Sequence, residues 1–333
     1  MESFVRHRPS PEGRLFPELS GTFAEIAARL RAASSVVVVA HIRPDADAVG
    51  SACSLAQALR KVGLDASVCI GQRFKHPDNL DGIPGVEEIS YVTELPEADL
   101  VVTVDCASID RTGAFAAPIA KRRDSVIVID HHETNPGFGG VNLVTISEST
   151  TVLVRELISY LGVELDRDIA YCLYAGLVTD TGSFRWGTPR MHLLAAELIG
   201  FGLDTRQIAL ELMDEMDGED LRRLGSVLAG VKWYTAGGYK VAVFTIEPEL
   251  HVAMGQSAVE SVIDYSRTLA GCDVGVVLKG QGPGRWSVSL RSSRIDVSQV
   301  AARLGGGGHV PAAGFSAGGL SDEVVEGILR EIR

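Results

Sequence analysis

Histidines and aspartates that could bind divalent metal ions form four short clusters in this chain, and three of the clusters directly follow apolar segments. The residues are His41, Asp45, Asp47, Asp105, Asp130, His131, His132 and Asp180. Carboxylate and imidazole groups gathered in one place would repel one another or stay unpaired unless a cation balanced them. The chemistry that these residue types indicate is therefore the binding of divalent metal.

The apolar segments before these residues determine where they can meet. Residues 35–40 (SVVVVA), 100–104 (LVVTV) and 125–129 (SVIVI) are unbroken apolar runs, which indicates strands buried on both faces of a parallel sheet. In such sheets, ligands bind beyond the carboxyl ends of the strands. Three separate strands would therefore deliver histidine and aspartate side chains to one edge of one sheet.

Each cluster also has an ordinary structural explanation. Asp45 would serve as the N-cap of the following helix without any metal. Asp105 and Asp180 suit turns, and the paired histidines suit a solvated loop. Because adjacent histidines point in divergent directions, we expect one of His131 and His132 to be a ligand and the other to contact substrate. The occurrence of all four clusters at successive element ends favours the metal site over four separate explanations.

Composition and charge narrow the class of protein. The chain has 333 residues, which is more than one average domain, so we expect two domains. Its net charge of −12 disfavours a broad basic face for long nucleic acid but permits a short nucleotide substrate. No apolar stretch approaches the roughly 18–20 residues of a membrane span, and no apolar h-region follows the basic N-terminus. Five scattered cysteines without a CxxC pair indicate a reduced, cytoplasmic protein.

The alternation of elements predicts the fold class and the domains. Strands and helices alternate through residues 1–188, which predicts an α/β domain with a doubly wound, mostly parallel sheet. Residues 189–230 have a charged helical pattern and would form a connector. Residues 231–333 contain two hairpin patterns, a short helix near 296–304, a glycine loop at 305–308 and a terminal helix, which predicts a smaller mixed-sheet α/β domain.

Six segments of the chain resemble one family. HIRPDADAVGS, VDCAS, DHHET and VTDTGSF look like motifs one to four of the DHH phosphoesterase superfamily. RWSVSLRSS and GGGGHVPAAGF look like its DHH-associated C-terminal domain. Length and the short connector resemble the NrnA-type subfamily, nanoRNases that also act as pAp phosphatases. Some actinobacterial relatives also hydrolyse cyclic di-AMP or its linear product pApA.

The resemblance implies a centre with two divalent ions, Mn²⁺ above all, with Mg²⁺ or Co²⁺ as alternatives. The first ion would be held by His41, Asp45 and Asp105, and the second by Asp47, Asp105, His131 and Asp180. Asp105 would bridge both ions, and a water shared by metals about 3.5–4 Å apart would become the attacking group. The mixed carboxylate–imidazole set suits Mn²⁺ better than calcium, and it lacks the thiolate that would favour zinc.

The remaining site residues are also assigned through the resemblance. Asp130 would orient a histidine ligand, and His132 would donate to a phosphate oxygen. In the second domain, the planar fork of Arg291 suits a terminal phosphate. Gly306, Gly307 and Gly308, followed by His309, would let backbone N–H groups approach a phosphate or base. A cleft between the domains would then bind a short nucleotide end.

The leading hypothesis is a phosphodiesterase that converts short RNA and pApA-type dinucleotides to mononucleotides and pAp to AMP. Cyclic di-AMP hydrolysis is the nearest alternative, because the same metals would serve. A family II inorganic pyrophosphatase is less favoured, because the chain lacks a basic Ser-Arg-Lys-Lys-type segment. A non-catalytic RNA-binding module is least favoured, because every matched ligand position is intact. The resemblance also suggests a homodimer, and no membrane partner is expected.

Overall fold

The computed structural model describes residues 13–214, 216–266 and 268–332, which form two compact units. The first unit ends at residue 215 and the second begins at Met216, so the division falls within the segment expected to be a connector. The N-terminal residues on which the expectation about a leader rests lie largely outside the described range. Among the described helices, none combines the length and apolar character that a membrane span requires.

The first unit is built on a six-stranded parallel sheet. Its strands are β1 (Ser35–Ala40), β2 (Asp65–Ile70), β3 (Ser90–Tyr91), β4 (Leu100–Val104), β5 (Val126–Asp130) and β6 (Val141–Val144). They lie in the order β3-β2-β1-β4-β5-β6, and every adjacent pair is parallel. The doubly wound class predicted from the sequence is thereby confirmed. The order reverses between β1 and β4, and a crevice opens at such a point in open α/β sheets.

Helices surround this sheet and bury it. They are α1 (Ser20–Ala32), α2 (Ala46–Lys61), α3 (Ala116–Lys121), α4 (Thr150–Tyr160), α5 (Arg167–Asp180), α6 (Pro189–Ile199) and α7 (Thr205–Ala209), and a π-helical turn follows at Leu210–Asp214. All residues of β1 after Ser35 are buried, and β5 is buried throughout. Their unbroken apolar sequences follow from this, because neither strand has a face in contact with water.

The second unit is built on a mixed sheet of six strands. These are β7 (Lys232–Ala236), β8 (Tyr239–Ile246), β9 (Val274–Gly282), β10 (Arg285–Ser292), β11 (Gly307–His309) and β12 (Ala312–Gly318), in the order β11-β12-β10-β9-β8-β7. Strands β8 and β9 are parallel, and the other pairs are antiparallel. The mixed sheet and both hairpins match the expectation from the sequence.

Five helices pack on this second sheet. They are α8 (Gly218–Ala229), α9 (Pro248–Ala253), α10 (Gln256–Ser266), α11 (Val297–Arg303) and α12 (Ser321–Glu331). Apolar residues of α11 and α12 cover the face that carries Val288 and Leu290, while α8 and α10 cover the opposite face around Phe244 and Val277. One prediction differs: three of the residues expected in the glycine loop and its end, Gly307–His309, form the edge strand β11. Backbone pairing with β12 orders a segment that propensity alone assigns to a loop.

Candidate metal centre

The loop after β1 carries the first cluster and begins α2. Asp45 is the N-cap of α2, and its Oδ1 accepts hydrogen bonds from the backbone of Asp47 and Ala48 at 3.1 and 3.0 Å. Its second oxygen, Oδ2, lies 3.5 Å from His41 Nε2. The capping explanation and the ligand explanation therefore use different oxygens of the same carboxylate. The far nitrogen of His41, Nδ1, lies 2.9 Å from a guanidinium nitrogen of Arg111 and 2.9 Å from the Ile42 carbonyl.

Asp105 lies directly after β4, at the point where the strand order reverses. Its φ of +57° is in the left-handed region, which aspartate tolerates better than most residues. Such strained positions cluster at functional sites because the surrounding structure must hold them. Asp105 Oδ2 lies 3.5 Å from His41 Nε2, and Oδ1 lies 3.6 Å from His131 Nε2. The carboxylate is only 2 % exposed and stands between the two histidines.

The two histidines at the end of β5 contact different carboxylates. His131 Nε2 faces Asp180 Oδ2 at 3.3 Å and Asp47 Oδ2 at 4.0 Å. His132 Nδ1 instead lies 2.8 Å from Asp130 Oδ1, and the two histidine rings are inclined by 72°. The expectation that adjacent histidines diverge fits this geometry. Asp130, expected to orient a histidine ligand, is placed by the structure against His132.

Asn135, which sequence reasoning missed, holds Asp130 in turn. Its amide nitrogen donates to Asp130 Oδ2 at 2.6 Å and to the Cys106 carbonyl at 3.0 Å. The second oxygen of Asp130 is therefore occupied by protein, and the residue is fully buried. Distance alone would let Asp105, Asp130 and His132 hold an ion, but the single binding site of His132 Nδ1 is already taken up by its hydrogen bond with Asp130. Asp130 is therefore better suited to positioning His132 than to binding metal.

The N-terminus of α4 supports the buried carboxylates, and sequence reasoning missed this as well. The backbone N–H groups of Thr150 and Thr151 donate to the two oxygens of Asp47 at 2.7 and 3.0 Å. The Thr150 hydroxyl donates to Asp105 Oδ1 at 3.0 Å. Gly176 of α5 makes room for this arrangement, because a Cβ there would lie 2.4 Å from Asp47 Oδ1. The sequence predicts a helix at 150–161, but no local signal says that it starts against Asp47.

The electrostatics of the cluster favour a bound cation. Burial, together with the charges of Asp105 and Asp45, raises the pKa of Asp47 well above its usual range. Burial and the charge of Asp47 do the same to the pKa of Asp180. Burial and Arg111 lower the pKa of His41, but the carboxylates of Asp45 and Asp105 outweigh them and raise it to about 9. The raised pKa values mean that bound protons offset the repulsion between the crowded carboxylates. In a metal site, a divalent ion supplies this positive charge instead.

Two groups of side chains could each hold an ion. One comprises His41, Asp45 and Asp105, and the other comprises Asp47, Asp105 and His131; within each group the ligand atoms lie within 4.8 Å of one another. Asp180 joins the second group through its contact with His131. The donors are oxygen and imidazole nitrogen only, which suits Mn²⁺ and Mg²⁺ better than soft metals. The residues present therefore fit a pair of hard or borderline divalent ions.

Two of the predicted substrate residues of the second unit, Arg291 and His309, lie on one face of its sheet. Arg291 of β10 pairs with Ala312 of β12, which in turn pairs with His309 of β11. Residues directly opposite each other in antiparallel strands share a face, so Arg291 and His309 flank the small Ala312 side chain. Gly307 and Gly308 are held in β11 by pairing with β12. Gly306 has a packing role, since a Cβ there would lie 2.1 Å from the Gly314 carbonyl oxygen.

Comparison with known proteins identifies both units. The profile of the DHH family, N-terminal domain, matches residues 35–177, and that of the DHHA1 domain matches residues 238–333. A curated relative from Thermus thermophilus, named bifunctional oligoribonuclease and PAP phosphatase NrnA, is 34 % identical over 92 % of each chain.

Solved structures agree with this assignment. An exopolyphosphatase-related protein from Bacteroides fragilis superposes with a TM-score of 0.80 at 25 % identity, covering 92 % of this chain and 94 % of that chain. RecJ from Thermus thermophilus, solved in complex with Mn²⁺, superposes with a TM-score of 0.51 at 18 % identity, covering 95 % of this chain and 56 % of that chain, which supports the fold alone. The chain belongs to the DHH family, among the NrnA-type proteins that carry a DHHA1 domain.

Proposed function

We propose that this protein hydrolyses short oligoribonucleotides and pApA-type dinucleotides to mononucleotides, and pAp to AMP, with two divalent ions. The observation that carries the proposal is the position of Asp105, whose two oxygens lie 3.5 and 3.6 Å from histidines of two different ligand groups. A carboxylate placed in this way suits a bridge between neighbouring ions. The Thermus thermophilus relative, named for both activities, supports the choice of substrates.

The proposed ligands are His41, Asp45 and Asp105 for one ion and Asp47, Asp105, His131 and Asp180 for the other. Mn²⁺ is favoured, with Mg²⁺ or Co²⁺ as substitutes, because the donors are carboxylate and imidazole. When bound, such a pair of ions lowers the pKa of a water and polarises a phosphoryl oxygen. Asp47 is fully buried and accepts hydrogen bonds from two backbone N–H groups of α4, so the orientation of its carboxylate is fixed before any ion binds.

His132 is proposed to act on the substrate rather than on the ions. Asp130 and Asn135 fix the orientation of its ring through a chain of hydrogen bonds at 2.8 and 2.6 Å. Burial lowers the pKa of His132, but its hydrogen bond to Asp130 and the charge of Asp105 outweigh burial and raise it. A protonated imidazole beside the ligands would donate a hydrogen bond to a phosphate oxygen, where negative charge increases during the reaction.

In the second unit, Arg291 and His309 are proposed to bind the terminal phosphate or base of the substrate. The small residues between them, Ala312 in β12 and the glycines of β11, leave the backbone of this face accessible to a ligand. Packing explains Gly306 by itself, so we assign phosphate recognition mainly to Arg291 and His309, with Gly307 and Gly308 allowing close approach.

The test is a comparison of four substrates with purified protein whose metal content has been measured. With Mn²⁺, hydrolysis of pApA and pAp to AMP is expected, with cyclic di-AMP slower and pyrophosphate unchanged. Hydrolysis of pyrophosphate alone, or of none of the four, would overturn the proposal. Asp105→Asn should lower kcat by roughly a thousandfold. Asp110→Asn makes the same chemical change at an exposed residue outside the ligand groups and should leave the rates unchanged.

A further inference from the structure

A cavity of about 560 Å³ adjoins the candidate metal centre within the first unit. The residues that line it include His132, Glu133, Pro136, Asn142, Val144 and Ile146. Its volume falls within the range of roughly 300–1,000 Å³ that is typical of small-molecule sites. The metal ligands proposed above do not line it, so the cavity is separate from the ion positions but next to them.

Strand β6 and its extension form one wall of this cavity. Alternate side chains of a strand share a face, and Asn142, Val144 and Ile146 are alternate residues that all line the cavity. Val141 and Leu143, the other alternate residues of β6, are buried in the core of the unit, whereas Thr145, beyond the end of the strand, also lines the cavity. β6 is the last strand of its sheet in the described structure, so this wall stands at the sheet edge. The side chain of Ile146 is 68 % exposed, which leaves apolar surface available to a ligand.

His132 connects the cavity to the metal centre. Its ring lines the cavity, while its Nδ1 lies 3.7 Å from Oδ1 of Asp105, the proposed bridging carboxylate. A phosphate that accepts a hydrogen bond from His132 would therefore lie at the mouth of the cavity. One of the two ester substituents of that phosphate would reach into it.

The two side-chain amides that line the cavity, those of Asn135 and Asn142, are already engaged within the protein. The Asn142 amide exchanges hydrogen bonds of 2.9 Å with both backbone groups of Gly139. The Asn135 amide is committed to Asp130, Cys106 and Gly137. No lysine or arginine is among the lining residues, all of which are described, and Glu133 adds a negative charge. Such a surface offers no positive charge to a terminal phosphate, while its apolar residues, Pro136, Val144 and Ile146, suit the flat face of an uncharged base.

We infer that this cavity binds the nucleoside on the 3′ side of the scissile phosphate, mainly by apolar contact with its base. The inference rests on the proposed function, because hydrolysis of pApA to two AMP molecules breaks the bond between phosphorus and the 3′ oxygen of the first nucleotide. Water supplies the new P–O bond, and the 3′ oxygen leaves with a proton. The first nucleotide carries a 5′-phosphate that the acidic cavity would repel. The second nucleoside carries no further phosphate and fits.

The substrate pAp is a natural control for this inference. Its scissile 3′-phosphate carries no second nucleoside, so the cavity would stay unfilled during its hydrolysis. Ile146→Ser should lower kcat/KM for pApA about five- to tenfold, since the lost apolar contact no longer favours the base. The same variant should leave kcat/KM for pAp within twofold of the wild-type value. Ile146→Leu keeps an apolar side chain and should retain activity on both substrates.

Two controls complete the experiment: a matched variant outside the cavity and a set of dinucleotides that differ in their second base. Leu193→Ser removes a similarly exposed aliphatic side chain, 60 % exposed and outside the cavity, and should change neither rate. Because the lining amides are committed, wild-type rates on pApA, pApU, pApC and pApG should differ by less than about fivefold. Equal loss on pApA and pAp, or no loss on pApA, would overturn the inference. Wild-type protein inactive on both substrates would instead overturn the proposed function.

Discussion

Replacement of Thr150 by valine should weaken metal binding although every proposed metal ligand is retained. The threonine is fully buried, and its hydroxyl donates to Asp105 Oδ1 at 3.0 Å while its backbone N–H donates to Asp47. Valine has nearly the same shape and keeps the backbone donor, so only the hydroxyl contact is lost. A hydrogen bond to a charged group contributes about 1.5–3 kcal/mol. That range corresponds to a reduction of roughly 10- to 100-fold in Mn²⁺ affinity, since about 1.4 kcal/mol is tenfold.

Calorimetric titration of the metal-free protein with Mn²⁺ measures this effect directly. Thr151→Val is the matched control, because that hydroxyl bonds to Ser149 Oγ at 2.6 Å rather than to a ligand. The control should lose thermal stability but keep its metal affinity. The reasoning is refuted if Thr150→Val binds Mn²⁺ as tightly as the wild type, or if both variants lose affinity equally. The first result would mean that Asp105 needs no support from α4, and the second that the helix start acts only through general packing.

Further predictions concern the ions, the protons and the second unit. Asp105→Asn should reduce the bound Mn²⁺ measured by elemental analysis below the two ions per chain proposed for the wild type, and lower kcat by roughly a thousandfold, equivalent to several kcal/mol. Mn²⁺ affinity should increase with pH up to about 9, because the ion must displace the proton that His41 holds below its pKa of about 9. Calorimetry in buffers of different ionisation enthalpy at pH 7 should detect the released proton. Gly306→Ala should lower the free energy of unfolding by about 1–3 kcal/mol through overpacking against Gly314. Gly225→Ala, in an open helical position, should be neutral or stabilising by about 0.5–1 kcal/mol in the same denaturant titration.

The parallel sheet and its ligand edge could be predicted because both depend on local sequence. Strands β1, β4 and β5 are buried on both faces, so each needs an unbroken apolar run that is easily recognised. His41, Asp105 and His131 follow these runs directly, so their meeting at one edge follows from parallel pairing. The predictions of a doubly wound fold class and of a mixed second sheet were therefore correct. The short elements β3, β6, α3 and α9 were not predicted, because two to six residues carry too little periodicity. The longer helix α10, of 11 residues, was missed as well.

The glycine segment shows where local propensity fails. Four glycines in a row favour a flexible loop in isolation, yet three residues of the segment and its end form β11. Pairing with β12 and the close approach of Gly306 to Gly314 order the segment. Both partners lie close in sequence, but this glycine- and alanine-rich segment has few of the β-branched and aromatic residues that mark a hairpin, so sequence patterns do not reveal this packing role.

The sequence by itself determined which side chains could bind metal and at which strand ends they occur, because residue chemistry and hydrophobic periodicity are properties of short segments. Only the tertiary structure decided what supports and surrounds them. The start of α4 meets Asp47 and Asp105 across more than forty residues of chain, and Asn135, which holds Asp130, also contacts the Cys106 carbonyl after β4. The cavity beside His132 likewise joins the β5 loop to the β6 edge. Such contacts depend on how distant segments pack in three dimensions, which no local pattern in the chain encodes.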